Sequence, residues 1–316
     1  MDNQKITDIC KNYYITPNKV EILRNNERVF AKVETSHTYF LKGKEVVNQS
    51  YREACCTFAN LLNAQGLNAT QFVQSKKNNY VVQYEDKAYS LELALQGKPI
   101  KVIHDREIAD IGQLLGVLHR LSIRMPNLFT NRTSSSLFRG ITTMVHEDYD
   151  ENELSFLKFK KHYYSYSLFS KVESLYKEYR YNLQQIWMRI PQGAVKGNFY
   201  FYNMLLQTDR TLAIYDFSRA GNEVYLNEVI NVGVYHAWHA PYQGNLKDNE
   251  RFQLFMESYT KERPLDSLEK IYVSQLIAIT RAFQHDRIEL GNALENELMK
   301  GLFLKETLKI LEEAQC

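Results

Sequence analysis

Net charge is almost absent from this 316-residue chain: 39 Lys and Arg stand against 37 Asp and Glu, leaving +2 at pH 7. That balance excludes the strongly basic surface by which proteins hold phosphate backbones, so nucleic acid is not an expected partner. Long apolar runs are missing as well. No stretch approaches the roughly 20 residues of a membrane-spanning helix, and Met1-Asp2-Asn3-Gln4-Lys5 opens without the apolar core of a signal peptide. A soluble, cytoplasmic protein with no membrane partner is expected. Cysteine is scarce, and Cys10, Cys55, Cys56 and Cys316 show neither a paired framework nor metal-ligand spacing. This excludes a disulfide-stapled fold and a zinc module, and fits a reducing compartment.

What is present is ordinary in bulk: 44% hydrophobic and 24% charged residues, the composition of a globular protein. The length favours two domains. Tyrosine alone is abundant, at 22, with clusters at Tyr163-Tyr164-Ser165-Tyr166 and between Tyr176 and Tyr181. Such side chains are expected to cover the core with their rings and reach water with their hydroxyls.

Residues 1 to 10 read as a short helix or tail. Val20 to Leu23, Arg28 to Val33 and Thr38 to Lys42 alternate in hydrophobicity and are rich in β-branched and aromatic residues, which predicts three antiparallel strands. Gly43-Lys44 is expected to break the third. Ala54, Phe58, Leu61 and Leu62 recur at helical spacing between Gln49 and Ala64, and Gly66 stops that helix. Strands over 71–74, 80–84 and 88–94 come next, and Gln96-Gly97-Lys98-Pro99 marks a boundary. Beyond it the pattern is helical: 105–121, a pair within 151–190, then 226–239, 249–263, 265–285 and 295–314, with a polar connection over 126–140. Gly112 and Gly116 on the first of these helices would let another helix approach closely. An α+β fold is predicted, with a strand-rich domain over 1–97 and a mostly helical one over 98–316.

One stretch interrupts the helices. Ala194 to Leu206 reads as a polar loop entering a strand, Gln207 to Arg210 as a turn, and Leu212 to Phe217 as a returning strand that ends in a carboxylate. Asn203 and Asp216 then lie at corresponding ends of a hairpin. Two such oxygen ligands, with phosphate oxygens completing the shell, suit Mg²⁺.

Strands, Lys42 at a strand end, a helix carrying Glu53, a hinge, and a hairpin with Asn203 and Asp216 occur in the order of parts of protein-kinase-like phosphotransferases. The chain resembles the branch containing aminoglycoside phosphotransferases, choline kinases, fructosamine kinases and type II homoserine kinases. Within that branch it looks like the kinase-like proteins of bacterial spore coats. The Leu-His helix motif is matched at Leu115-Gly116-Val117-Leu118-His119, and the hinge at Tyr89 to Gly97. The pattern His-Gly-Asp-(four)-Asn falls on Lys196-Gly197-Asn198-(four)-Asn203, and Ile-Asp-Phe on Tyr215-Asp216-Phe217. These matches span roughly residues 15 to 285, and several motifs in order are far more specific than any one.

The resemblance implies that Lys42 holds the α and β phosphates of ATP and pairs with Glu53. It implies that Glu92, Leu93, Ala94 and Leu95 present backbone groups to adenine. Asn203 and Asp216 would ligate Mg²⁺, and Glu228 would brace the catalytic loop. The family's catalytic Asp is Asn198 here, and its preceding His is Lys196. A neutral amide orients a hydroxyl but does not act as a carboxylate base. The loop Leu23-Arg24-Asn25-Asn26-Glu27-Arg28 holds no glycine to admit phosphate, and Ser218 stands where relatives carry a second metal acid. Two readings result: ATP-dependent phosphorylation of a small-molecule hydroxyl through a degenerate catalytic loop, or a pseudokinase serving as a binding or spore-coat structural protein with protein partners. Glu147, Asp148 and Asp150 are acids that would suit a cationic acceptor, but charged loop residues are usually just solvated. Lys158 to Tyr164 is expected to be a solvated helix face, and His236-Ala237-Trp238-His239 lacks metalloprotease spacing and is expected to be packing.

Overall fold

The computed structural model describes residues 1–46, 48–125, 127–129, 137–138 and 150–315. Glu147, Asp148, Cys316 and most of the 126–140 connection lie outside the described residues. In chain order the elements begin with α1 (Asn3–Lys11), β1 (Lys19–Asn25), β2 (Val29–Glu34), β3 (Thr38–Glu45), α2 (Gln49–Ala64), β4 (Val81–Tyr84), β5 (Lys87–Leu93) and β6 (Lys98–Pro99). Then come α3 (Asp105–Ser122), α4 (Glu151–Tyr163), α5 (Phe169–Ile186), β7 (Gln192–Val195), β8 (Met204–Leu206), β9 (Leu212–Ile214) and β10 (Gly221–Val224). The chain closes with α6 (Tyr225–Val234), a π-helical turn (Tyr235–His239), α7 (Asp248–Glu262), α8 (Ser267–Ala282), α9 (His285–Asn292) and α10 (Glu297–Glu312).

These elements form two compact units: Met1–Lys101, Arg124–Phe129 and Phe201–Ala220 make the first, and Val102–Ile123, Thr130–Tyr200 and Gly221–Cys316 the second. In the first, an antiparallel sheet runs in the order β1-β2-β3-β5-β4. Its alternating residues Val29, Ala31 and Val33 are buried with Leu41, Tyr89 and Leu91 against Ile6, Ile9, Cys10 and Tyr13. The N-terminal segment is therefore a docked helix: Asp2 accepts the Lys5 N–H at 2.9 Å as its cap, and the Tyr13 hydroxyl donates to the Tyr89 carbonyl at 2.7 Å. Gly43 does not end β3. The strand continues to Glu45 because a Cβ at Gly43 would stand 2.4 Å from the Tyr89 ring, so glycine there makes room for a buried aromatic. The 71–74 strand is reduced to a bridge of Phe72 with Glu92, flanked by Leu93 N–H to Gln71 O and Val73 N–H to Leu91 O.

The hairpin β8–β9 also belongs to the first unit, paired with β6 on one side. On the other side Thr70 N–H donates to Ile214 O and Ile214 N–H to Asn68 O. The segment after α2 thus acts as a further, parallel partner of β9.

In the second unit α3 lies against α7 with backbones in near contact. A Cβ on Gly112 would meet the Phe255 carbonyl oxygen at 2.4 Å, and one on Gly116 the Tyr259 carbonyl oxygen at 2.6 Å. Short β7 and β10 pair antiparallel, a ladder with no clear periodic signal in so few residues. Tyr163 of α4 and Tyr176 and Tyr179 of α5 bury their rings as expected and give their hydroxyls to protein acceptors, whereas Tyr181 of α5 is exposed. Tyr163 donates to Gly291 O at 2.5 Å and Tyr179 to Leu311 O at 2.9 Å, both buried. Lys158 and Lys160 are ion-paired with Glu289 and Glu173 on an exposed helix face. Among the described residues no helix is long and apolar enough to cross a membrane. Gly112→Ala is expected to force α3 from α7 and lower stability by about 1–3 kcal/mol, read as the shift in urea midpoint.

Candidate functional site

In the first unit the site begins with strand register. Lys42 lies opposite Ser90 and Phe40 opposite Glu92, so these four side chains share one face of the β3–β5 ladder. Across that diagonal Lys42 Nζ meets Glu92 Oε1 at 2.6 Å. The lysine side chain is 35% exposed and the glutamate 7%. The expected partner, Glu53, is elsewhere engaged: its carboxylate accepts the N–H groups of Tyr80 at 2.6 Å and Val81 at 2.8 Å. Backbone donors at the start of β4 need acceptors, and α2 supplies one. The Lys42–Glu53 pair is thus replaced by Lys42–Glu92.

Burial is the largest influence on Lys42 and pulls its ammonium down, but the Glu92 carboxylate and, more weakly, Asp216 outweigh it and hold the group above its ordinary value. Burial likewise pushes the Glu92 carboxyl up, opposed by Lys42. The second Glu92 oxygen is buried and has no hydrogen-bond partner among the described residues. Of the hinge residues, Leu93 and Ala94 already commit their N–H groups, to Gln71 O and Thr38 O at 2.8 and 2.9 Å. The Leu95 N–H makes no backbone hydrogen bond among the described residues.

Asn203 closes a 3₁₀ turn over Phe201–Asn203 and is buried. Its carbonyl accepts the Tyr215 N–H at 3.1 Å, which extends the Met204–Ile214 register by one step. Asn203 and Asp216 therefore stand at the same end of the hairpin. Asp216 has φ +58°, a left-handed conformation that Asp tolerates, and its Oδ1 accepts the Ser218 N–H at 3.1 Å. Helix α2 secures the residues just beyond it: the Phe217 ring meets Phe58 edge-on at 5.9 Å, and the Tyr51 hydroxyl donates to Ala220 O at 2.8 Å. Among the described residues no group of three His, Cys, Asp or Glu is placed to bind a metal by protein ligands alone. An amide and a carboxylate oxygen suit a hard cation whose remaining ligands come from phosphate and water.

In the second unit the loop after β7 carries Gly197 at φ +62° and Asn198 at φ +48°. The Lys196 side chain is fully buried, and its ammonium donates to the Asn198 carbonyl at 3.3 Å. The loop is braced from beneath. Gly197 N–H donates to Glu228 Oε1 at 2.6 Å, and the other Glu228 oxygen accepts from His119 Nε2 at 2.7 Å. A carboxylate only accepts, which assigns the imidazole proton to Nε2 and leaves Nδ1 to accept from the Tyr259 hydroxyl at 2.8 Å. Tyr259 in turn accepts from Arg263 at 3.0 Å, and Arg263 pairs with Glu269 at 2.8 Å. Every member is buried. Glu269 is recognisable in sequence as the N3 residue of a capping box, accepting the Asp266 N–H at 2.9 Å, but nothing in sequence ties it to Arg263. Asp150 is not open to a cationic acceptor: it caps α4 and pairs with Arg180 at 2.5 Å.

No family model matches the chain, and no curated protein matches it. Solved structures do. The amicoumacin kinase hAmiN, in complex with AMP-PNP, Ca²⁺ and Ami, has a TM-score of 0.63 at 12% identity, covering 99% of this chain and 94% of its own. A spectinomycin phosphotransferase in complex with ADP and spectinomycin has a TM-score of 0.57 at 13% identity, covering 100% and 99%. A choline kinase from Streptococcus pneumoniae has a TM-score of 0.51 at 10% identity, covering 98% of each chain. At these identities the likeness is one of fold, and the fold is the protein-kinase-like fold of small-molecule phosphotransferases.

Two buried imidazoles set a pH dependence. Burial, partly opposed by Glu228, holds His119 below its ordinary value, and burial takes His236 down to about 4. The unfolded chain, with histidines near about 6.5, binds more protons than the folded one below that pH. Stability is therefore full above pH about 6.5 and falls toward pH about 4, by up to about 1.4 kcal/mol per pH unit per histidine. Urea unfolding across that window checks this, and His236→Asn is expected to flatten the slope.

Proposed function

We propose that this protein binds a Mg²⁺–ATP complex and is a kinase-like phosphotransferase whose degenerate catalytic loop leaves transfer to a small-molecule hydroxyl slow. The observation that carries this reading is the Lys42–Glu92 ion pair on the first unit, which feels the charge of Asp216, with Asn203 at the same hairpin end as Asp216. One ammonium and two carboxylates sum to a net charge of −1. Such a set of charges repels bare phosphate and accepts a nucleotide only with a divalent cation between them. The cation, when bound, neutralises charge on the phosphates. Lys42 would hold phosphate oxygens, Asn203 and Asp216 the metal, and Leu95 would offer its N–H to the base. Nucleotide and antibiotic complexes of the similar structures support this class of ligand.

Asn198 supports a weak chemical step. It can orient an acceptor hydroxyl, but without a carboxylate the general-base contribution of roughly 10²–10⁴-fold is lost. The same residue favours the second reading, a pseudokinase that keeps the fold as a binding or spore-coat structural protein. Lys196 adds to it, being buried where the family pattern has histidine.

Mg²⁺ with ATP is expected to raise the melting temperature by a few degrees, as binding at 100 times Kd adds about 2.7 kcal/mol. Asp216→Asn is expected to abolish the Mg²⁺ dependence of that shift. No shift at millimolar nucleotide would overturn nucleotide binding and leave the structural role. Asn198→Asp is expected to raise ATP turnover at least about 10²-fold, measured as phosphate release. A variant that binds ATP yet gains no turnover would place the defect elsewhere than the missing base.

A further inference from the structure

We infer that Glu92, on the sheet, is the positioning residue for Lys42, and that α2 has been released from that task to hold the Asp216 segment instead. The inference rests on the nucleotide reading for its purpose, and on contacts within the first unit for its content. Lys42 and Glu92 sit on one face of one ladder, 2.6 Å apart at their charged ends. Their spacing is set by strand register, which changes only in steps that flip every side chain to the other face. An anchor on a helix would depend directly on how that helix packs; this one is set first by the register of the ladder.

Helix α2 is committed elsewhere by two independent sets of contacts. Glu53 spends both carboxylate oxygens on the Tyr80 and Val81 N–H groups, at 2.6 and 2.8 Å. Tyr51 and Phe58, from the same helix, secure the chain just after Asp216 through the Ala220 carbonyl and the Phe217 ring. Helix α2 reaches the β3–β5 ladder through backbone, with Arg52 donating to the Ala88 carbonyl at 2.6 Å and the Lys42 carbonyl at 3.4 Å, and the Lys42 ammonium itself is met by Glu92. The orphaned oxygen of Glu92 fits this division. A buried carboxylate with one unmet acceptor is costly, and Lys42 is the group that offsets that cost with a charge-assisted bond.

The test is covalent labelling of Lys42 by an amine-reactive acetylating reagent, read by mass spectrometry on the full chain. Glu92→Gln is expected to raise the Lys42 labelling rate about tenfold, equivalent to one pKa unit, and Glu92→Asp to give an intermediate rise. Glu53→Gln is expected to leave that rate unchanged while lowering the melting temperature. A rise with Glu53→Gln and none with the Glu92 variants would overturn the assignment. If Glu92→Gln fails to fold, the Glu92→Asp and Glu53→Gln comparison decides alone. Mg²⁺–ATP is expected to slow labelling of the unmodified protein. Absence of that protection would overturn the nucleotide reading, whereas the Glu92-to-Glu53 contrast would still judge the anchor.

Discussion

The second unit is organised by one buried carboxylate. Glu228 accepts a backbone N–H from the loop after β7 with one oxygen and an imidazole N–H with the other. Neither donor has water to fall back on, so the loop, α3 and α6 are held together by the cost of leaving any of them unpaired. Proton direction then propagates outward without a choice to make. Glu228 only accepts, His119 must donate from Nε2, Tyr259 must donate to Nδ1, and Arg263 must donate to Tyr259. The close approach of α3 and α7 at Gly112 and Gly116 brings His119 and Tyr259 within reach of one another. A packing detail and a hydrogen-bond chain are here the same constraint.

The first unit solves a different problem, holding like charges near each other on a half-open face. Lys42 is paired with Glu92 and also feels the charge of Asp216, so negative charge is in excess around it. The sheet fixes the ammonium, and the helix fixes the segment bearing the other carboxylate. Asp216 keeps its left-handed backbone because Ser218 N–H closes on its side chain and Phe217 is anchored by a ring contact. Conformational strain at that point is carried by neighbours that have no other role in the site.

The loop with Lys196 and Asn198 rests on backbone conformations that its residues accept. Gly197 and Asn198 both take positive φ, which glycine and asparagine accept with little penalty. The buried Lys196 ammonium reaches the Asn198 carbonyl, so a cation serves the loop's own backbone.

Local pattern determined much of this protein. Alternation in Val29 to Val33, helical spacing in α2 and α3, and the ordered motifs around Leu118-His119, Asn203 and Asp216-Phe217 predict the strand-rich and helical parts, the fold class and the residues of interest. Those signals lie within a few residues of one another, so periodicity and motif order suffice to read them. Partner choice does not work that way. Glu53 and Glu92 are both glutamates at plausible positions, and only the β3–β5 register against the needs of the β4 backbone decided which one meets Lys42. Gly43 reads as a break until Tyr89 is seen to need its space, and Arg263 reads only as the end of a helix until Tyr259 and Glu269 enclose it. Each of these depends on atoms far apart in sequence competing for the same donor, acceptor or volume, and that competition is resolved only when the chain is packed.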